Sequence, residues 1–368
     1  MISLLHTADV HLGMGFPGLG AHGREHREQL RRTFARIVDL ALQQRVDLLL
    51  VAGDLFDSQR QSEATLAFVR EQFLRLRDGG IRVVLLAGNH DPLGEESVWS
   101  RARFEATCDN VTLFGAQPQT LILPDLDLTV IGQSVGPDGP QSLRGWPQER
   151  TTQFAVGLAH GSAYREGVVE AGTIHPADVR RLGLDYLALG DWHSTQAVTG
   201  PPTPAWYAGA PEFLAMDQEA GQVLLVTIPQ PGQAQVRPVR VGRRSYRRVE
   251  VDITGLDPDR VRAAAMGAAG PDVVLDVVLT GMAPPHRLPQ VRDLEEALQE
   301  ACFRARVRNQ VTVWLEEEAL EAFPERTLVG RYIRLMRERA ATAPPQERPI
   351  LEEALQVGVA MLLGAEEP

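Results

Sequence analysis

The sequence predicts an α/β protein in which a parallel sheet is covered by helices, followed by further strands, a small α+β unit and two C-terminal helices. Three observations predict it. The beginning of the chain alternates short apolar runs with helical patterns; from about Val111 strands follow one another with little helix; and near Gly242 the character changes to a compact mixture of both. A β-α-β-α-β order requires parallel strands, because each helix carries the chain back across the sheet.

Each element has its own signal. Ile2–Thr7 reads as a strand. Glu25–Gln44 sets Leu30, Phe34, Ile37, Val38 and Ala41 at helical spacing. Leu48–Ala52 is continuously apolar, as a strand buried on both faces must be. Ser62–Arg77 is a second helix with Leu66, Val69, Phe73 and Leu76 on one face, and Val83–Ala87 is another buried strand. Strands follow at Val111–Phe114, Gln119–Leu123, Leu126–Gly132, Gln153–Leu158 and Tyr186–Leu189, with one helix near His175–Leu182. Gly221–Ile228 and Ala234–Val241 flank a Pro-Gln-Pro-Gly turn and form a hairpin. The sheet is therefore mixed, or there are two sheets. Gly132–Thr151, rich in Gly, Pro, Ser and Gln, reads as a mobile loop. Beyond Gly242 come a strand (Tyr246–Ile253), a helix (Pro258–Ala269), a strand (Asp272–Thr280), a helix (Leu288–Phe303) and a strand (Ala305–Leu315); two tail helices are broken around Pro344-Pro345. The expected division is 1–241, 242–320 and 321–368.

Composition excludes several functions. The 368 residues carry a formal charge of −11, which excludes a small basic DNA-coating protein but not a local basic groove. All 37 basic residues are Arg. Without Lys the chain has neither a Walker-type P-loop nor a Schiff-base amine. Cys108 and Cys302 are too far apart in sequence for a thiolate zinc motif, and they form no disulfide scaffold. The N-terminus does not read as a signal peptide and no run is long enough to span a membrane, so a cytoplasmic location is expected.

The chemistry sits at strand ends. The first strand runs into Asp9-Val10-His11, the second into Gly53-Asp54-Leu55-Phe56-Asp57, the third into Gly88-Asn89-His90-Asp91; later strands end at His160-Gly161 and Gly190-Asp191-Trp192-His193. Carboxyl ends of strands share one edge in such a fold, so these groups can converge. Asp, His and Asn donors suit Mn²⁺, Mg²⁺ or Fe, and one carboxylate can bridge two ions that clamp a phosphoryl group.

This order resembles the calcineurin-like metallophosphoesterase superfamily. More narrowly, His6-Thr7-Ala8-Asp9-Val10-His11-Leu12-Gly13, Val51-Ala52-Gly53-Asp54-Leu55-Phe56-Asp57 and Leu86-Ala87-Gly88-Asn89-His90-Asp91 resemble the SbcD/YhaO-like branch of DNA repair exonucleases, related to Mre-type nucleases. The resemblance implies a four-layer αββα sandwich with mixed sheets, a small α+β capping domain and C-terminal helices. It implies that Asp9, His11, Asp54 and His193 hold one metal, and that Asp54, Asn89, His160 and Asp191 hold the other, with Mn²⁺ the expected ion and Mg²⁺ or Fe the alternatives. His90 would not ligate; it would stabilise the phosphate in the transition state and protonate the leaving oxygen after attack by a metal-activated water. Asp57 either accepts a hydrogen bond from His90 or braces its loop. One departure stands out: the family's Gly-His-x-His is Gly190-Asp191-Trp192-His193 here, so three carboxylates face two divalent ions and the formal charge is +1 instead of +2.

Outside this set, His6 reads as structural; His22 and His26 read as surface residues, with substrate contact the alternative, and His175 and His286 as exposed. Arg237, Arg240, Arg243, Arg244, Arg247 and Arg248 fall in one short stretch without an acid, and Arg304, Arg306 and Arg308 alternate on one strand face. Arg243, Arg244, Arg247 and Arg248 are the candidates for gripping a DNA backbone; a solvated face or ion pairs are the alternative. Tail stripes Leu328, Tyr332, Leu335, Met336 and Leu351, Ala354, Leu355, Val359, Leu362 either pack on the chain itself or await a partner. The resemblance implies an SMC-like coiled-coil ATPase as that partner, DNA as substrate, and a homodimer through helices near Ser62–Arg77 and Glu95–Cys108. The expectation is a metal-dependent DNA phosphodiesterase. The alternatives are a small-molecule phosphodiesterase or phosphatase, because fold and metals do not fix the substrate, and a non-catalytic DNA-binding or scaffold subunit whose site has decayed through Asp191.

Overall fold

The computed structural model describes the chain except residues 141, 149, 165–171, 216, 217, 219, 284–287, 289, 316 and 365–368. It divides into two compact units, Met1–Ser245 and Tyr246–Pro368. The division falls after residue 245 instead of 241, and the tail clusters with the second unit. His286 lies outside the described residues.

The first unit opens with β1 (Ile2–Thr7), α1 (Gly23–Gln44), β2 (Leu48–Ala52), α2 (Glu63–Asp78) and β3 (Arg82–Leu86). Short helices α3 (Val98–Ala102) and α4 (Phe104–Thr107) lead to β4 (Val111–Leu113). A second series comprises β5 (Gln119–Leu123), β6 (Leu128–Gly132), β7 (Phe154–His160), α5 (Pro176–Arg181), β8 (Tyr186–Gly190), β9 (Gln196–Thr199) and β10 (Ala205–Tyr207). The hairpin β11 (Gln222–Ile228) and β12 (Gln235–Arg240) then returns to the first sheet.

The described residues of this unit form two six-stranded sheets, ordered β12-β11-β1-β2-β3-β4 and β5-β6-β7-β8-β10-β9. Both are mixed. In the first, β1 pairs parallel with β2 and antiparallel with β11. In the second, β7 pairs parallel with β6 and β8, while β5 and β6 are antiparallel. Alternation explains the layering. Ile2 and Leu4 of β1 pack with Leu50 and Val84 against Val130, Val156, Leu158 and Ala188 of the other sheet. On the outer face of the first sheet α1 and α2 bury Leu30, Phe34, Ile37, Leu66, Val69 and Phe73. On the outer face of the second, Val179 and Leu182 pack with Ala155, Leu187 and Leu189. The result is a four-layer αββα sandwich. Among the described residues of 133–151 the one helical turn is a 3-10 turn at Leu143–Gly145, and Leu143 and Trp146 anchor the stretch in that outer layer.

In the second unit β13 (Ser245–Asp252), β14 (Val273–Thr280) and β16 (Arg304–Asn309) form one sheet, with α6 (Pro258–Met266) and α7 (Val291–Ala301) packed on one face. The strand expected over Ala305–Leu315 is broken: Thr312–Val313 (β17) pairs instead with β15 (Met282–Ala283). Helices α8 (Glu317–Glu321), α9 (Leu328–Thr342) and α10 (Arg348–Gly364) share a small core of Leu320, Val329, Ile333, Leu355 and Val359. Gln356 ties α10 to the backbone of Leu315 through both its amide atoms at 2.9 Å. The tail stripes are thus partly spent within the chain, while Leu328, Leu335, Ile350 and Met361 stay exposed. Among the described residues no helix is long and apolar enough to cross a membrane.

Candidate metal centre

Parallel pairing of β1, β2 and β3 aligns their carboxyl ends, and the facing sheet brings the ends of β7 and β8 to the same edge. The backbone there leaves ordinary conformations. Asp9 (φ 52°), His11 (φ 50°), Asp54 (φ 51°) and Asp191 (φ 104°) are non-glycine residues at positive φ. The other three such residues, Arg45, Arg103 and Asp127, cap helical turns, where the conformation is common. Left-handed non-glycine residues cost on the order of 1–3 kcal/mol each and persist where the surroundings impose them. Close approach also requires glycine: a Cβ on Gly53 or Gly190 would overlap the imidazole of His160.

The structure brings all seven expected ligand residues together. Ligand atoms of Asp9, His11 and His193 lie within 4.8 Å of one another, and so do those of Asp9, Asp54 and His160. Asp54 stands between the two groups: its Oδ2 is 3.6 Å from His11 Nε2 and 3.5 Å from His160 Nε2. Asn89 Oδ1 is 2.7 Å from His160 Nε2. Asp191 Oδ1 is 4.0 Å from the same nitrogen; its other carboxylate oxygen accepts from Ser162 Oγ at 2.8 Å. The Asp191 backbone N–H donates to Asp9 Oδ1 at 3.0 Å.

Tautomers follow from the partners. His160 Nδ1 lies 2.9 Å from the Ala52 carbonyl, which can only accept, so Nδ1 carries a proton and Nε2 faces the centre. His11 Nδ1 lies 3.2 Å from Asp57 Oδ1, which leaves its Nε2 inward in the same way. A carboxylate or carbonyl behind a ligating imidazole is the usual arrangement in metal sites.

The centre fits cations. Asp9 Oδ2 and His11 Nε2 are buried and have no hydrogen-bond partner among the described residues. Burial, reinforced by the charge of Asp54, pushes the Asp9 carboxyl up to about 7. Burial opposes protonation of His160, but the carboxylates of Asp54, Asp9 and Asp191 outweigh it and raise its pKa. His11 behaves alike, through its bond to Asp57 and the charges of Asp54 and Asp9. Burial, with the like charge of His11, lowers His193 to about 4. Buried carboxylates crowded against imidazoles are a donor set that divalent ions neutralise.

Asp91 carries no separate signal in the sequence, although it ends the Gly-Asn-His-Asp run. It is fully buried and accepts from the backbone N–H groups of Phe56 (3.0 Å) and Gly88 (2.7 Å), locking two site loops together. Ser162 and Gln218 are also new: Ser162 holds Asp191, and Gln218 Nε2 lies 3.0 Å from His193 Nδ1. A lone Ser or Gln in a loop carries no sequence signal.

Three expectations need correction. His90 Nδ1 bonds the backbone carbonyl of Asp57 at 3.2 Å, whereas the Asp57 carboxylate turns to His11. His90 itself is exposed, its ring 4.6 Å from that of His11, and its backbone N–H donates to Asp54 Oδ1 at 2.8 Å. His26, expected at the surface, is buried with Nε2 2.6 Å from the Phe213 carbonyl and Nδ1 2.7 Å from Arg244. Arg244 is the third correction. Its side chain is buried and pairs with Glu25 and His26, so its guanidinium is withdrawn from any nucleic acid. The backbone N–H groups of Arg243 and Arg244 both donate to buried Glu212 at 2.9 Å, which draws this segment inward. The side chains of Arg243, Arg247 and Arg248 are exposed. Of the alternating arginines, Arg306 and Arg308 pair with Asp276 at 3.1 and 2.6 Å. His6 is buried and bonds the Tyr186 hydroxyl at 2.8 Å, as a structural histidine does.

Residues 2–195 match the family model for calcineurin-like phosphoesterases. The DNA double-strand break repair protein Mre11 of Aeropyrum pernix is 32% identical over 270 residues, covering 69% of this chain and 64% of that protein. The uncharacterized metallophosphoesterase YhaO of Bacillus subtilis is 29% identical over 219 residues, covering 56% and 52%. The D component of the nuclease SbcCD from Rhodobacter capsulatus is 27% identical over 398 aligned residues, covering 94% and 90%. The chain thus spans about half to two thirds of the length of the first two relatives.

Proposed function

The chain belongs to the calcineurin-like phosphoesterase family, and from that membership we propose that it is a DNA phosphodiesterase working with two divalent ions. Asp9, His11, Asp54 and His193 hold one ion; Asp54, Asn89, His160 and Asp191 hold the other. The observation that carries the reading is the position of Asp54 Oδ2, 3.6 and 3.5 Å from the inward nitrogens of His11 and His160. When bound, the ions polarise the phosphodiester and lower the pKa of the attacking water.

The remaining work falls to side chains. Asp57 and the Ala52 carbonyl fix the orientation of His11 and His160. Ser162 fixes Asp191. His90 stands exposed at the rim with Nδ1 on the Asp57 carbonyl, so Nε2 is the atom that delivers a proton to the departing sugar oxygen. The oxygen-rich surroundings of the second site, where His160 is the sole imidazole of the assigned set, favour Mn²⁺ or Mg²⁺ over softer ions. Mn²⁺ is the ion we assign.

DNA as substrate is supported by likeness to relatives named as a double-strand break repair protein and as part of a nuclease. Exposed Arg243, Arg247 and Arg248 supply a backbone grip. A coiled-coil ATPase is the partner we assign from the resemblance of the strand-end motifs; with no Lys the chain has no P-loop, so any ATP dependence comes from a separate subunit. The test compares linear double-stranded DNA, a synthetic phosphodiester and a phosphomonoester in Mn²⁺. DNA and the diester should turn over well above the monoester. Preference for the monoester, or hydrolysis of the diester with none of DNA, would replace this reading by a small-molecule phosphoesterase; metal binding with no turnover of any substrate would make it a non-catalytic protein.

A further inference from the structure

A pocket of about 470 Å³ opens beside Asp191. Its volume lies within the range of about 300–1,000 Å³ typical of small-ligand sites. Asp191 is both a wall of this pocket and a member of the metal centre, so the two spaces adjoin. Among the large hydrophobic side chains that the described residues of the first unit expose, Met1 and Ile122 lie elsewhere, whereas Tyr164 (46% exposed) and Trp192 (39% exposed) line this one pocket. Trp192 stands there for a local reason: Asp191 and His193 turn toward the centre, and the residue between them is thrown outward.

The walls are built in advance. Tyr207 Oη donates to the Gly161 carbonyl at 2.7 Å and accepts from the Ala163 N–H at 2.6 Å. Tyr164 N–H donates to the Ile174 carbonyl at 2.9 Å, and the Tyr164 ring rests against His175 at 4.7 Å. Ser162 and Gln196 add polar groups to the lining. Flat aromatic faces with a few polar groups at their edges, next to a phosphate-cleaving centre, match a flat heterocycle attached to a phosphate.

We propose that this pocket is a nucleobase site, in which Trp192 stacks on the base of a nucleotide adjoining the scissile phosphate and Tyr164 closes the other side. The proposal rests on reading the chain as a DNA phosphodiesterase and adds a substrate preference to it. A base inside a duplex is already stacked on its neighbours, so entering the pocket requires unstacking, which costs least at an unpaired or frayed end. Stacking on an aromatic face is tolerant of base identity, because every base has a π-face. The enzyme is therefore built for single-stranded and fraying ends, with little sequence preference.

The experiment uses the Mn²⁺-loaded full chain and single-stranded oligonucleotides with one normal phosphodiester, the other linkages being phosphorothioate. The nucleotide on either side of that linkage is natural or abasic. In the wild type, kcat/KM for the natural substrate should exceed that for one of the two abasic substrates, the one that lacks the stacked base, by about tenfold or more, the usual worth of one stacked base. Trp192→Ala should bring that ratio close to one, Trp192→Phe should restore most of it, and Tyr164→Ala should lower it partway. Quenching of 2-aminopurine placed beside the same linkage reads stacking without turnover, and should be weakened in Trp192→Ala even if that variant cleaves nothing. Equal cleavage of natural and abasic substrates by the wild type, or a ratio and quenching unchanged by Trp192→Ala, overturns the proposal while leaving the nuclease reading standing. Hydrolysis of a synthetic phosphodiester with no oligonucleotide cleaved or bound removes both.

Discussion

His90 and Asp57 illustrate how neighbouring residues with similar chemistry divide their tasks. His90 contributes no atom to the two ligand groups assigned above, and its Nδ1 is occupied by a backbone carbonyl. His90→Ala should therefore retain the metal content while turnover falls by about 10²-fold or more, the contribution of a positioned general acid; elemental analysis beside single-turnover rates checks both halves. Asp57 acts through His11. Asp57→Ala should weaken metal binding by about 10–100-fold, as loss of a carboxylate behind a ligating histidine does, and Asp57→Asn should recover part of it, since an amide oxygen still accepts from Nδ1. Calorimetric Mn²⁺ titration separates this behaviour from that of His90→Ala. The arginines divide as sharply. Arg244→Met leaves the buried His26 Nδ1 without its donor and should cost about 1.5–3 kcal/mol in denaturant unfolding. Arg247→Ala, at an exposed site, should stay within about 0.5 kcal/mol of wild type, yet lower the slope of log K for DNA against log salt by about 0.9 if it contacts one phosphate. Equal effects on stability from both substitutions would contradict this division.

Strands and helices with long, regular apolar patterns were legible in the sequence, and so were the ligands that follow them. β1, β2, β3, β7 and β8 all carry apolar runs that end at a ligand, because burial on both faces forces continuous hydrophobicity and the site lies at the strand tips. β9, β10, β15 and β17 have two to four residues each, too few for a period to show. Their pairing comes from the sheet or strand beside them. His26 and Arg244 misled for a related reason: each sits among polar neighbours in sequence, and only the fold brings them to Glu25 and the Phe213 carbonyl. The alternation of Arg304, Arg306 and Arg308 was readable as one face, but not its partner, Asp276 on the adjacent strand of the parallel pair. That partner gives a pH prediction. Burial would raise the Asp276 carboxyl, but Arg306 and Arg308 outweigh it and hold it below the ordinary value. A carboxylate depressed in the folded state stabilises above the ordinary value of about 3.9 and loses that contribution as pH falls through the lowered one. Wild-type melting temperature should therefore drop more steeply than that of Asp276→Asn between about pH 5 and pH 2, a range that brackets the ordinary carboxyl value of about 3.9; parallel curves would show that this cluster contributes nothing to acid stability.

Taken as one molecule, the chain concentrates its unusual chemistry at a single edge. Its net charge is −11, yet Asp9 and Asp54 of the centre are fully buried, sit at positive φ and crowd against imidazoles. Among the described residues, four at positive φ, two glycines that tolerate no side chain and two buried polar atoms without a hydrogen-bond partner lie there. A protein that maintains such a site against its own folding stability does so for what the site binds. The central claim is that it binds two divalent ions and that Asp191, standing where the family's histidine is expected, ligates the second. The measurement that bears on this most directly is the number of Mn²⁺ ions bound per chain by wild type, Asp191→Ala and Asp191→His, with DNA cleavage followed on the same samples. Two ions in the wild type, one in Asp191→Ala with nearly all turnover lost and the fold intact, and two again with measurable activity in Asp191→His are expected. One ion per wild-type chain in excess Mn²⁺, unchanged in Asp191→Ala, would contradict the two-ion centre.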